Sequence, residues 1–358
     1  NTPMMVKKIV VCQAQVPFIE GGAEFHAREL VKQLKVHGYE AELISVPFKW
    51  YPKEEIIAHA SAWRLLDLSE STGQPIDLAI GLKFPSYFVR HPCKVSWIIH
   101  QYRAAYDLCG TPYSDFKHIE GDVGLRNTLM QLDRKMLGEC RRLFTNAKNT
   151  AARLKKFNGI TADPLYHPPR LASQLRSGEY GNYVLSVGRL ESVKRVELAV
   201  KAMQHVDKPI RLLIVGDGTY RRKIQQMAEQ SGIEQRIEFL GQVSDKDLID
   251  LYSKALAVIY VPYDEDYGYV TLEAFLAHRP VITAEDSGGP LEFVKHDVNG
   301  AVCQPEAESI ASEINSLASN RTKTAMLGES GYDSARDVSW SGVVEQLVGA
   351  AENNTYDG

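Results

Sequence analysis

The sequence predicts an α/β protein of two doubly wound domains facing across a cleft. Three observations carry this. Short β-branched runs alternate with amphipathic stretches along the whole chain, the pattern of parallel sheets with helices on both faces. The alternation breaks once, at Gly159–Tyr183, which holds Pro164, Pro168, Pro169, Gly178 and Gly181 without a sustained period. The chain has 358 residues, where a prior of roughly 150 per domain implies two cores. The first domain is set at residues 1–165 and the second at 166–338, with the closing stretch 339–351 packing back on the first.

In the first domain Lys8–Cys12 reads as a strand and Gly21–Val36 as a helix, with Phe25, Leu30, Val31 and Leu34 on a helical period. Ala41–Val46, Leu78–Ile80, Val95–Ile99 and Arg142–Thr145 read as strands, Leu125–Leu137 and Asn149–Phe157 as helices. In the second domain strands are expected at Tyr183–Val187, Arg211–Val215, Ile237–Leu240, Ala257–Val261 and Val281–Thr283, separated by helices. Helices near Ser309–Leu317 and Thr322–Ala335 close it, and Trp340–Ala350 crosses back.

Composition narrows the function classes. A 44% hydrophobic and 24% charged chain is ordinary for a globular protein, and a net charge of -4 without a basic run argues against nucleic acid as the main partner. Cys12, Cys93, Cys109, Cys140 and Cys303 are scattered with no CxxC pair, which favours reduced thiols over a disulfide framework or zinc site. Lys7 and Lys8 precede only a short strand-like run, so no signal peptide is read. No segment approaches the about 18 apolar residues of a spanning helix. Asn1-Thr2-Pro3 ahead of Met4 reads as an expression remnant, and the polar tail Glu352–Gly358 as frayed.

Ligands of doubly wound sheets sit beyond the carboxyl ends of the strands, so the loops there carry the argument. Gly21-Gly22 precedes a helix, where it serves either an anion's approach or a plain turn. Gly188-Arg189-Leu190-Glu191-Ser192-Val193-Lys194 follows a strand. Arg189 offers a fork to phosphate oxygens and Lys194 a point charge, unless both are merely solvated. Val215-Gly216-Asp217-Gly218 lacks the third glycine of a dinucleotide fingerprint and reads better as a tight turn. Gly241-Gln242-Val243 is similarly placed, with backbone able to line a flat base.

The strongest local feature runs from Pro262 to Ala274. Glu265 falls on a loop and Glu273 about one turn into a helix that starts near Gly268–Val270. Carboxylates accept hydroxyl hydrogen bonds from a sugar and a ribose, and a helix N-terminus takes phosphate charge. Acidic residues favouring a helix start are the alternative. Ser287-Gly288-Gly289-Pro290 then reads as a third phosphate-friendly helix start.

On these residues the chain resembles the retaining glycosyltransferases of the GT-B fold, two Rossmann-like domains across a cleft, and in particular the large family-four group (glycosyl transferases group 1). The matching pieces are Gly188-Arg189 with Lys194, Glu265 and Glu273 at the family's spacing, and Ser287-Gly288-Gly289. In the first half the resemblance rests on Gly21-Gly22 and His100. It implies that Arg189 and Lys194 bind the donor diphosphate and that Glu265 holds donor-sugar hydroxyls, while Glu273 holds the ribose. Gly268 opens the helix whose first N–H groups, at Tyr269 and Val270, meet phosphate. Gly241 and Val243 line the base, Gly22 approaches the diphosphate, and His100 lies near the donor sugar. Tyr263, where the family carries a small residue, and Tyr267, where it carries phenylalanine, leave the transferred sugar open.

The resemblance implies transfer of a hexose with retention from a UDP-sugar such as UDP-glucose to a saccharide or lipid-linked acceptor, in polysaccharide or glycoconjugate biosynthesis. The donor is a substrate and no cofactor is expected. Asp264-Glu265-Asp266 resembles a metal-binding DxD, but Arg189 and Lys194 already supply positive charge, so no metal is expected either. The expected place is the cytoplasm, with peripheral work at the inner membrane face left open. An epimerase on the same scaffold is the nearest rival; a dinucleotide oxidoreductase and a non-catalytic sugar-nucleotide sensor are further ones. The acceptor is looked for around Phe48–Pro52 and Tyr102–Tyr113, whose aromatics either stack on a sugar or belong to the core.

Overall fold

The computed structural model describes residues 6–207 and 209–352, so the readings made for Asn1-Thr2-Pro3 and for the tail beyond Glu352 lie outside the described residues. The chain divides into two compact units. One comprises residues up to His167 and from Ser339 onward, the other Pro168–Val338.

The first unit runs β1 (Lys8–Gln15), α1 (Gly22–Val36), β2 (Glu40–Pro47), α2 (Ile56–Ser61), a small ribbon of β3 (Glu70–Ser71) and β4 (Gln74–Pro75), β5 (Leu78–Gly81), β6 (Lys94–Ile98), α3 (Glu120–Leu137), β7 (Arg142–Thr145), α4 (Lys148–Asn158) and β8 (Asp163–Pro164). Six parallel strands lie in the order β2-β1-β5-β6-β7-β8. Both faces are covered, so successive residues of β1 enter different cores: Val10, Cys12 and Ala14 one, Ile9 and Val11 the other. The final helix, Trp340–Glu352, places Val343, Val344, Leu347, Val348 and Ala351 on one stripe in that second core. The five cysteines are free thiols.

The second unit runs β9 (Tyr183–Val187), α5 (Val196–Ala202), β10 (Arg211–Val215), α6 (Arg221–Gln230), β11 (Ile237–Gly241), α7 (Asp245–Lys254), β12 (Ala257–Ile259), α8 (Tyr269–Leu276), β13 (Val281–Ala284), β14 (Gly300–Cys303), α9 (Ala307–Ser319) and α10 (Arg321–Ala335). Its strands are parallel in the order β11-β10-β9-β12-β13-β14. The order reverses between β9 and β12, and a sheet of this kind opens a crevice at that point.

Three differences from the sequence reading have physical reasons. Strand β12 stops at Ile259 rather than Val261, because the chain turns out of the ladder after Tyr260 N–H bonds Ile282 O at 2.9 Å. The stretch around Gly159–Tyr183 contains β8, a two-residue edge strand on β7 that tolerates Pro164 because an edge needs one row of donors only. Gly289–Glu292 is a single 3-10 turn with Pro290 in it rather than the start of a helix.

A buried acid in the first unit gives a pH-dependent expectation. Asp133, on α3 and wholly buried, accepts the hydroxyls of Tyr87 (2.9 Å) and Tyr106, and burial pushes its carboxyl up to about 7. Between the ordinary carboxylate range and that value the folded chain holds a proton the unfolded chain has lost. Its stabilising share is therefore lost as pH rises towards 7. His26, pushed down to about 3 by burial, works in the opposite sense below its ordinary 6.5. The thermal midpoint of wild type minus that of Asp133→Asn isolates the first effect. It is expected to be larger at pH 5.5 than at pH 8, and a flat or rising difference would refute the assignment.

Candidate active site

The loop after β9 supplies three cations with three different fates. Gly188 turns the chain at φ +148°, Arg189 is exposed, and Leu190 is buried beneath them. Ser192–Lys194 forms one 3-10 turn, and Arg195 opens α5 in the left-handed region at φ +50°. Arg195 was not singled out in the sequence, yet it fastens the site. Its guanidinium donates to Val261 O (2.9 Å), Pro262 O (2.8 Å) and both oxygens of Asp286 (2.8 and 2.6 Å), tying the loops after β9, β12 and β13 together. Lys194 turns the other way and pairs with Glu265. Arg189 has no ion pair among the described residues.

Glu265 is held by its backbone as well as its side chain. The loop after β12 zips onto the loop after β13: Asp264 N–H bonds Asp286 O, Glu265 N–H bonds Ser287 O, and Gly289 N–H bonds Glu265 O, at 2.9, 2.9 and 2.7 Å. The Glu265 carboxylate then accepts from Lys194 and from the Tyr260 hydroxyl (2.8 Å) on Oε2, and from Asp266 N–H (3.2 Å) on Oε1. Tyr260 is buried, and burial together with the neighbouring Glu265 holds its hydroxyl protonated far above neutrality. A lysine from the β9 loop and a carboxylate from the β12 loop thus meet at the switch point of the sheet.

Helix α8 begins at Tyr269 after Gly268, which sits at φ +75°. A side chain at Gly268 would come within 2.7 Å of the Tyr260 ring. The first N–H groups of α8, at Tyr269 and Val270, lie ahead of the helix's own hydrogen-bond ladder. Val270, Thr271, Leu272, Ala274, Phe275 and Leu276 are all buried, and Glu273 is the sole ionisable side chain on the helix besides Tyr269. Burial raises its carboxyl, opposed by a hydrogen bond from the Tyr252 hydroxyl at 2.7 Å. An ionisable group on a largely buried helix is costly, and the Tyr252 hydroxyl offsets part of that cost.

Two glycine motifs prove to serve backbone packing. A Cβ at Gly216 would lie 1.9 Å from Gly188 O, and one at Gly218 2.4 Å from Leu190 O, so Gly216-Asp217-Gly218 lets the β9 and β10 loops touch. A Cβ at Gly289 would lie 2.5 Å from Asp266 O. Ser287-Gly288-Gly289 therefore supports the Glu265 loop, and the helix start read after it is one 3-10 turn. Gly241, at φ +66°, accepts the Gly216 N–H at 2.7 Å, and Val243 beside it is half-buried.

In the first unit the strand order reverses between β1 and β5, and again a lysine and a carboxylate meet there. Lys83, after β5, reaches Glu24 of α1 at 2.5 Å. Glu24 also accepts the Gly21 N–H at 2.9 Å, so an acid of the protein already caps α1, while Gly22 stays exposed. His100 follows β6 and is half-buried; its Nδ1 lies 2.8 Å from Gln101 O. A carbonyl only accepts, so Nδ1 carries a hydrogen. Of the aromatics considered for an acceptor, Phe48 and Tyr102 pack into the core against Phe84 (ring centroids 5.7 Å away in both cases), whereas Tyr51 is exposed. Among the described residues no group of three or more His, Cys, Asp or Glu side chains is arranged to hold a metal.

The fold is two Rossmann-like units, with a cation and a carboxylate joined at the switch point of the second, and known proteins share that fold. Residues 169–334 match the family described as Glycosyl transferases group 1. An uncharacterized glycosyltransferase of Methanocaldococcus jannaschii, MJ1607, is 23% identical over 93% of this chain and 94% of its own length. The human Alpha-1,3/1,6-mannosyltransferase ALG2 is 30% identical over 41% of this chain, which spans 39% of that relative's length. Among solved structures, sucrose-phosphate synthase from Thermosynechococcus elongatus superposes with a TM-score of 0.72 at 18% identity, covering 96% of this chain and 98% of that one. Anabaena Alr3699/HepE in complex with UDP and glucose gives 0.69 at 18% identity over 96% and 98%. The match to the group 1 glycosyltransferases thus lies in the second unit, and the chain as a whole has the GT-B type of fold.

Proposed function

We propose that the protein transfers a hexose from a nucleoside-diphosphate sugar, with UDP as the preferred nucleotide, to a hydroxyl of a saccharide or lipid-linked acceptor. The observation that carries this is the contact between Lys194 and Glu265 at the switch point of the second unit. One group seeks anions and its neighbour seeks hydroxyls, and a sugar diphosphate presents both within a few bonds of its anomeric carbon. UDP is favoured because a solved structure of the same fold is described in complex with UDP and glucose.

In this reading Arg189 and Lys194 take the diphosphate, with the N–H groups opening α8 at Tyr269 and Val270. Glu265 holds sugar hydroxyls, Glu273 the ribose, and Gly241 and Val243 line the base. As the bond from the anomeric carbon to the leaving phosphate oxygen breaks, positive charge builds on the ring and negative charge on the phosphate. Fixed cations stabilise that separation more than the ground state. Retention of configuration is part of the proposal. So is a place in polysaccharide or glycoconjugate assembly in the cytoplasm, at or near a membrane surface. Among the described residues no helix is long and apolar enough to cross a membrane.

Metal independence follows from the same reading, because Arg189 and Lys194 do the work of a cation. Calorimetry with UDP, GDP and ADP identifies the nucleotide. The matching nucleotide sugar is then assayed for transfer with and without EDTA, and full turnover in chelator is expected. Loss that manganese restores would overturn metal independence, and an isomerised sugar released without acceptor would replace transfer by epimerisation.

A further inference from the structure

We infer that Tyr260 and Tyr252 are positioning residues, each setting one of the two donor-binding carboxylates, so that the sugar end and the ribose end of the donor are tuned by separate buried phenols. The inference rests on the assignment of Glu265 to sugar and Glu273 to ribose made above.

The geometry is parallel at the two places. Tyr260 follows β12, is 7% exposed, and donates its hydroxyl to Glu265 Oε2 at 2.8 Å. Tyr252 sits on α7, is wholly buried, and donates to Glu273 Oε2 at 2.7 Å. In both cases burial and the adjacent carboxylate push the phenol well above its ordinary range, so the hydroxyl is a donor at neutral pH. A neutral donor fixes the rotamer of a carboxylate without cancelling its charge, which leaves the acid able to accept from ligand hydroxyls.

Tyr260 has a second task that Lys194 cannot perform. The two share Glu265 Oε2, but Lys194 belongs to the diphosphate set and must turn towards phosphate when donor binds. Tyr260 is fixed by the close approach of Gly268, whose missing Cβ would lie 2.7 Å from its ring, and has no such competing partner. It goes on holding Oε2 of Glu265 after Lys194 has left, beside the Asp266 N–H on Oε1. Tyr252, on a different element, does the same for Glu273, each phenol donating to its own carboxylate.

The experiment is a crossed measurement on the full chain. The probes are UDP, UDP-glucose and 2′-deoxy-UDP, with GDP, GDP-mannose and 2′-deoxy-GDP in parallel, and the set that binds wild type is carried forward. Tyr260→Phe is expected to bind the free nucleotide as wild type does but to lose about tenfold in affinity for the nucleotide sugar. Tyr252→Phe is expected to weaken nucleotide and nucleotide sugar by the same factor and to lose most of the preference for ribose over 2′-deoxyribose. Glu265→Gln and Glu273→Gln serve as references. If these two show the split and the phenylalanine variants do not, the positioning role is refuted while the carboxylate assignment stands. If the glutamine variants fail to split, or neither probe set binds wild type, the underlying assignment falls and the inference with it. An equal loss for all ligands in both phenylalanine variants would mark the phenols as structural only.

Discussion

Replacing Arg189 with alanine is expected to lower turnover about 100-fold or more, the usual consequence of removing one preorganised charge from a site where negative charge develops. Stability should barely move, because the side chain is exposed and has no ion pair among the described residues; surface changes of this kind stay within about 0.5 kcal/mol. That combination makes Arg189 a cleaner probe than Lys194, whose removal also strips half-buried Glu265 of its counter-charge. Steady-state rates and a thermal melt on the same preparation decide the matter. Turnover within a few-fold of wild type would remove Arg189 from the diphosphate site.

The second large effect is on folding. Gly216→Ala is expected to destabilise the second unit by about 3 kcal/mol or more, combining overpacking with a strained backbone. The added carbon would lie 1.9 Å from Gly188 O and 2.9 Å from Gly188 C, both backbone atoms, and Gly216 adopts φ +119°. Gly38→Ala is the control. It has φ +90° but nothing within 4 Å of the added carbon, so it carries backbone strain alone, about 1 kcal/mol. Two units make a single unfolding transition unsafe to assume, so the comparison belongs on resolved urea transitions. Similar losses for the two variants would mean that the β9 and β10 loops part readily.

The fold was legible because strands buried on both faces read as unbroken apolar runs. Tyr183–Val187 and Arg211–Val215 coincide with β9 and β10 residue for residue. Strands β8 and β14 escaped notice because each looks like a turn: β8 is the two-residue pair Asp163-Pro164, and β14 opens on Gly300 directly after Asn299. The site was legible as a set of residues but not as a set of contacts. Lys194 and Glu265 stood out separately, 71 positions apart, and nothing in the sequence said that they touch. Tyr252 and Tyr260 were invisible as site residues, since a tyrosine on a buried element looks like core whether or not its hydroxyl points at a carboxylate. Gly288-Gly289 misled for a related reason. A glycine that admits a neighbouring loop and one that admits a phosphate leave the same mark in a sequence.

The Lys194–Glu265 contact makes the resting site a coincidence detector. An inorganic phosphate that draws Lys194 away leaves Glu265 without its counter-ion, and that loss is set against whatever the anion gains. A neutral sugar offered to Glu265 meets an oxygen already occupied by Lys194 and Tyr260. Only a molecule carrying an anion and hydroxyls on the same short scaffold satisfies both partners as it separates them. With the roles proposed above for Lys194 and Glu265, discrimination against simple phosphates and free sugars begins in the unliganded protein, before any contact with base or acceptor is made.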